Sequence, residues 1–454
     1  MISDAARLYQ TDFPPEEFAA RRDIVFDRIG DEACAVLQGA APPRGFDPIR
    51  QTNQFFYLCG VDVPQAYLLL DARERKTVLY LPHHDAAHAA SEGDVLSVET
   101  ADLTRKLTGV DEVRGPEDLE ADLRSARMIY TPHKPAEGKN MSRDVATSAN
   151  RKIAADPWDG RPTREGAFIG LLLARCPNVE VRDLSPIIDE MRVVKSELET
   201  EMCRRAGRLT GLAVMEAMRS TQPGVIEYQF GAIAQYIYLS NGARGEGYRA
   251  IIAGGTNAWY GHYFRNNCPL QDGDLVLMDV APDYAQYTSD IGRMWPVNGT
   301  YDALQRELYG FVVEYHKALL ERIRPGVLVE QIHAETAEAM VPVIDGQSWS
   351  KPIYEEAARR MLDFRGHLSH PVGMAVHDVG PYQHLPLEPG MVFTVDPQMW
   401  VHEEKRYVRC EDTVVVTPDG IENLTGFVPL ELDDCEALMQ EEGLLQSLPP
   451  NAFD

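Results

Sequence analysis

Basic residues are scarce in this chain. Lysine and arginine together number 44 against 70 aspartates and glutamates, a formal net charge of −26 over 454 residues. That deficit argues against nucleic acid or an anionic membrane as partner, because both are bound through clustered cations. Long apolar runs are also missing: none approaches the ~18 residues of a membrane span. The opening residues, MISDAARLYQTDFPPEEF, hold no basic stretch followed by an apolar one, so no secretory signal is expected. Cysteine is sparse. The seven residues (Cys34, Cys59, Cys176, Cys203, Cys268, Cys410 and Cys435) are scattered and form no C-x-x-C pair. This points to a reducing compartment, with the cytoplasm as the expected location. Low-complexity segments are absent as well.

What is present is an ordinary globular composition, 44% apolar and 25% charged, in a chain long enough for two domains. The first domain, expected over residues 1–182, reads as α/β. Residues 16–30 have helical periodicity, and 33–37 reads as a strand. Residues 55–58, 66–70 and 77–81 look like strands separated by turns. Residues 164–175 form a good amphipathic helix. His83, His84 and His88 lack acids at a useful spacing and read as an exposed helix start. The second domain, 183–454, reads as α+β. A connector leads to a long helix with Ser196 as N-cap. Another helix spans 225–239, and strands and turns run to Val297. Helices follow over 303–322 and 329–340. Strands return over 374–417, and a last helix covers 434–445.

The second domain contains a repeat. Gly273-Asp274-Leu275-Val276-Leu277-Met278-Asp279 matches Gly390-Met391-Val392-Phe393-Thr394-Val395-Asp396 as turn glycine, apolar strand, then aspartate. Each is followed by another acid, Asp290 in the first half and Glu411 in the second. Two hairpins with an acid on each arm would turn four carboxylates toward one centre. GHLSHPVGMAVHDVG, between them, supplies His367, His370 and His377. Buried acids are costly unless paired or bound to metal. Four carboxylates and an imidazole make an oxygen-rich set suited to two divalent ions. Such a pair can activate water and polarise a carbonyl, which is the chemistry of amide or ester hydrolysis.

GGTNAWYGHYFRNN, DGDLVLMDVAPDYAQYTSDIGRMWPVNG, HLSHPVGMAVHDVG, LEPGMVFTVDP and VRCEDTVVVTPDGIENLT resemble segments of the creatinase/aminopeptidase "pita-bread" family. The branch of aminopeptidase P and prolidase is the nearest. PRGFDPIRQTNQFFYLCGVDVPQAYLLL resembles the amino-terminal domain of aminopeptidase P, so the likeness covers nearly the whole chain. The resemblance implies an α/β amino-terminal domain and a pseudo-twofold α+β catalytic domain with a dinuclear centre, expected to hold Mn2+, with Co2+, Fe2+ or Zn2+ as alternatives. By the same resemblance, Asp279 chelates one ion, Asp290 and Glu411 bridge both, and His370 and Asp396 hold the other. Asp396 is also the candidate general base. His262 and His377 match histidines that contact substrate, and Arg409 matches an arginine that orients metal-bound acids. A homodimer or homotetramer is implied too.

The chain departs from the family pattern. The family's TVEPG is TVDPQ here, so Asp396 stands where the family has glutamate, shorter by one C–C bond, ~1.5 Å. In the family's HGLSH the first histidine falls on Gly366, and His367 comes one position later, a slip that turns an extended side chain to the other face. His367 therefore contacts substrate only if a bulge re-aims it. Gly292 and Met294 replace the two threonines of SDITRT. The expected activity is hydrolysis of the Xaa-Pro bond, releasing the amino-terminal residue from a peptide. The alternatives are a prolidase acting on Xaa-Pro dipeptides, a non-peptidase hydrolase or lyase, and a silent binding protein. Retention of an acid or histidine at all five ligand positions weighs against the last.

Overall fold

The computed structural model describes residues 8–448. The chain divides into two compact units, the first ending at Arg192 and the second beginning at Val193. The expected division was 182/183. The difference has a local cause: the helix Ser185–Met191 packs on the helix Pro15–Ile29, and Arg192 meets Glu137 at 3.3 Å.

The first unit is built on six strands: β1 (Ala33–Gln38), β2 (Tyr67–Asp71), β3 (Lys76–Tyr80), β4 (Glu112–Arg114), β5 (Met128–Thr131) and β6 (Glu180–Asp183). Their order is β4-β3-β2-β1-β5-β6. The β1–β2–β3 meander is antiparallel, and the flanking pairs are parallel. One core gathers Val36, Leu69, Val78 and Ile129 from the sheet with Phe168 and Leu172 from the helix Arg164–Arg175. One expected strand is absent. Residues 55–58 lie in the helix Asn53–Cys59, closed by Gly60 in the left-handed region at φ 67°. Every residue of that turn is buried, so its apolar run carries no periodicity by which helix and strand could be told apart. His83, His84 and His88 are exposed around the start of the helix Ala86–Glu92, as expected.

The second unit opens with the helix Glu197–Arg219. Ser196 and Glu199 form a reciprocal capping box there, satisfying two otherwise orphaned donors. Its main sheet uses β7 (Ile251–Gly254), β8 (Leu275–Asp279), β9 (Ile291–Pro296), β10 (Val392–Val395) and β13 (Glu411–Thr417), with β14 (Gly420–Asn423) on the edge of β13. β11 (Gln398–Val401) and β12 (Arg406–Arg409) form a separate ribbon. The main order is β10-β13-β9-β8-β7, antiparallel throughout. β13 and β9 meet at Glu411 opposite Gly292, so the two acid-bearing strand pairs lie either side of one seam. The repeat read from sequence is therefore a spatial repeat.

Three long helices follow β9: Ala303–Leu320, Val329–Gly346 and Pro352–Asp363. The third was not expected. Pro352 starts it, and Tyr354, Ala357, Ala358, Met361 and Leu362 form its buried side. Strands resume only at Val392, because residues 366–391 follow an irregular path along the edge of β10. There the Val372 and Thr394 N–H groups donate to the Val392 and His370 carbonyls. The expected last helix is two short ones, Leu432–Leu438 and Leu444–Ser447, interrupted before Gly443. Among the described residues no helix is long and apolar enough to cross a membrane.

Candidate metal centre

Strand alternation brings the acids together. Asp279 is the last residue of β8, and Asp290 immediately precedes β9. Glu411 is the first residue of β13, and Asp396 directly follows β10. The Asp290 backbone is clamped through the Thr413 hydroxyl, which accepts from its N–H at 2.9 Å and donates to its carbonyl at 2.7 Å. The Asp396 N–H donates to the Leu368 carbonyl, tying β10 to the segment that carries His370. Gly292 faces Glu411 across the seam. A Cβ there would stand 3.1 Å from the glutamate Cβ, a tight fit that favours glycine over the family's threonine.

The tightest group is Asp290, His370 and Glu411, each offering a ligand atom within 4.8 Å of the others. His370 Nε2 lies 3.4 Å from Asp290 and 3.8 Å from Glu411. Asp279 joins through the Tyr248 hydroxyl, which is 2.6 Å from both Asp279 Oδ1 and Asp290 Oδ1. Arg409 hydrogen-bonds closely to Asp279 and stands 3.4 Å from both Asp396 and Glu411. The five expected ligands and Arg409 thus form one cluster.

Its charge is unbalanced. Four buried carboxylates face one guanidinium and one imidazole. Neither Glu411 oxygen has a hydrogen-bond partner, nor does Asp396 Oδ1. Burial, then the charges of Asp290 and Asp396, push the Glu411 carboxyl well up. Burial likewise raises Asp279 against the pull of Arg409. Asp290 is held low in spite of burial, because His370 hydrogen-bonds its charged form. Orphaned buried oxygens in an acid-rich, nitrogen-poor set are what hard divalent cations would satisfy, so these residues fit them.

The histidines lie to one side. The His377 ring is 4.3 Å from that of His370 and 6.1 Å from that of His262, which stacks on Phe264. His367 is exposed and meets the Phe364 ring edge-on at 5.1 Å. It borders a cavity of about 440 Å³ shared with Asp396, Gln398, Met361 and Trp400. Sequence reasoning missed Tyr248, which sits in a polar loop before β7 with no marking spacing. It also missed the support behind Glu411. Asp412 points to the opposite strand face, where Arg293 at 2.7 Å and His316 at 2.8 Å meet it. The alternation of the Glu411-Asp412 pair was the available signal.

Known proteins resemble this chain along nearly its whole length. The model for metallopeptidase family M24 matches residues 201–418, and that for the aminopeptidase P N-terminal domain matches 18–130. A Haemophilus influenzae Xaa-Pro aminopeptidase is 31% identical over 95% of this chain and 99% of its own length. The chain belongs to metallopeptidase family M24. An Escherichia coli Xaa-Pro aminopeptidase is 32% identical to this M24 chain over 93% of it and 97% of the relative. Among solved structures, Escherichia coli aminopeptidase P with the inhibitor Pro-Leu is 30% identical at a TM-score of 0.76, covering 95% of this chain and 99% of that one. Proline aminopeptidase P II from Yersinia pestis is also 30% identical at 0.76, covering 94% and 100%. The expected architecture, an aminopeptidase P-type amino-terminal domain and an M24 catalytic domain, is thereby shown, and the chain is a metallopeptidase.

Proposed function

We propose that this M24 enzyme hydrolyses the bond between a first residue and a following proline, releasing the amino-terminal residue. The observation that carries this is the under-neutralised cluster of four carboxylates and His370, on a chain matched almost end to end by Xaa-Pro aminopeptidases. Asp279, Asp290, His370, Asp396 and Glu411 would hold two divalent ions, Mn2+ foremost. Asp290 and Glu411, each with a ligand atom close to His370, would be central to that set. Ions bound there would supply Lewis-acid polarisation of the scissile carbonyl and a lowered pKa for water.

The remaining work falls to the chain. Asp396 takes a proton from the attacking water. His377 and His262 reach toward the carbonyl and hydrogen-bond the oxygen that gains charge on attack. Arg409 holds three of the acids in place. An Xaa-Pro bond lacks an N–H and has a fixed φ, so a dedicated site is needed to cleave it. Assembly as a homodimer or homotetramer and a cytoplasmic location complete the proposal. Seven free thiols, six of them buried, support a reducing compartment.

The test is a panel of Xaa-Pro-Yaa tripeptides, Xaa-Pro dipeptides and Xaa-Ala controls with added Mn2+. The expected result is release of Xaa from the tripeptides, with the Xaa-Ala controls resistant. Preference for dipeptides would move the assignment to prolidase, and equal cleavage of Xaa-Ala would reject it.

A further inference from the structure

Asp396 reaches less far than a glutamate would, and the structure shows what steadies it. The Gln398 side-chain amide donates from Nε2 to Asp396 Oδ2 at 2.5 Å. The indole N–H of Trp400 donates to Gln398 Oε1 at 3.4 Å. The two contacts agree on the amide's orientation: an indole N–H can only donate, so the atom it meets is the oxygen and the other is the NH2. Residues 396, 398 and 400 alternate onto one side of extended chain, which lets each side chain reach the next. Opposite Gln398 on the paired ribbon strand is Arg409, whose Nη1 lies 3.4 Å from the same Asp396 oxygen.

Asp396 is therefore held from two strands through one oxygen. Its other oxygen, Oδ1, is buried and has no hydrogen-bond partner, on a side chain only 4% exposed. Carboxylate rotation about the Cβ–Cγ bond would exchange the two oxygens, and the double restraint on Oδ2 opposes it.

We infer that Gln398 is a positioning residue for the metal centre: through its bond to Asp396 Oδ2 it fixes the aspartate so that Oδ1 is presented to a divalent ion. This rests on the reading of Asp396 as a metal ligand in the proposed function. Arg409 alone does not supply the restraint, because it is also committed to Asp279 and Glu411. The ribbon carrying Gln398 and Trp400 is packed by Tyr407, whose ring lies 4.2 Å from that of Trp400, so the donor is itself held.

The test is titration of the ion-free, full-length protein with Co2+, followed by its visible absorption, for the parent, Gln398→Ala and Gln398→Glu. Partners that orient a metal ligand typically change affinity by about 10–100-fold. Gln398→Ala should weaken one of the two binding steps by that factor, leave the other unchanged, and leave the thermal midpoint of the ion-free protein at the parental value. Gln398→Glu keeps the shape but replaces the donor with an acceptor. It should weaken the same step, and it decides the matter if the alanine variant does not fold. Parental titrations in both variants would overturn the inference. A parent that binds Co2+ in two steps yet cleaves no Xaa-Pro peptide would sink the substrate assignment while leaving this role of Gln398 standing.

Discussion

Glu411 is the residue on which the centre turns. It is buried, neither oxygen has a hydrogen-bond partner, and its neighbours are mostly acids. Glu411→Gln removes a charge from the proposed ligand set, so turnover should fall by at least about 100-fold with loss of bound ion, read by steady-state rates and metal content. A near-parental rate would exclude it as a ligand. Tyr248→Phe removes the hydroxyl that stands between Asp279 and Asp290. About a 10–100-fold loss of metal affinity should follow, seen by titrating the ion-free protein. The acids were legible because each ends or begins an apolar run, where a charge needs explaining, and His370 through the family resemblance of HLSHPVGMAVHDVG. Tyr248 and Gln398 were not. Each acts through a contact that exists only once strands have paired.

Strands and loops fix where these residues sit, and two buried ion pairs secure them. Behind β13, Asp412 lies against Arg293, His316 and Thr425. Burial pushes its carboxyl up, but Arg293 and the hydrogen bonds of His316 and Thr425 outweigh burial and hold it well below the usual carboxylate range. A depressed folded-state value adds stability at pH above the unfolded value of ~3.9, and that stability is lost as pH falls toward the folded value. Asp412→Asn should therefore lower stability near neutrality and flatten its decline below about pH 4, measured by denaturant unfolding across pH. On the loop carrying His370 and His377, Asp378 pairs with Lys195 at 3.2 Å, both side chains 1% exposed. Lys195→Met removes the cation paired with this buried carboxylate and should cost about 3–5 kcal/mol in the same kind of experiment. Elements with clear periodicity or caps, such as Arg164–Arg175 and the Ser196 start, were readable in advance. The buried turn at residues 55–58 and the irregular path over 366–391 were not, because tertiary contacts alone decide their backbone.

At the scale of the whole molecule, the duplication places one acid-bearing strand pair on each side of the β9–β13 seam, and the four carboxylates converge there. This was visible in the sequence as two turn-strand-acid patterns. The supporting ribbon β11–β12 was hidden, since nothing in its sequence says that it leaves the main sheet. Ions held at the seam would bind only the folded chain. Chelation should therefore lower the thermal midpoint, and at a free ion concentration 100 times Kd the stabilisation is about 2.7 kcal/mol. Most direct is the metal content of protein purified without chelator, measured beside Xaa-Pro-Yaa hydrolysis on the same sample before and after chelation. The centre described here predicts about two divalent ions per chain, loss of activity on their removal and recovery on adding Mn2+. A metal-free chain with full activity would contradict it.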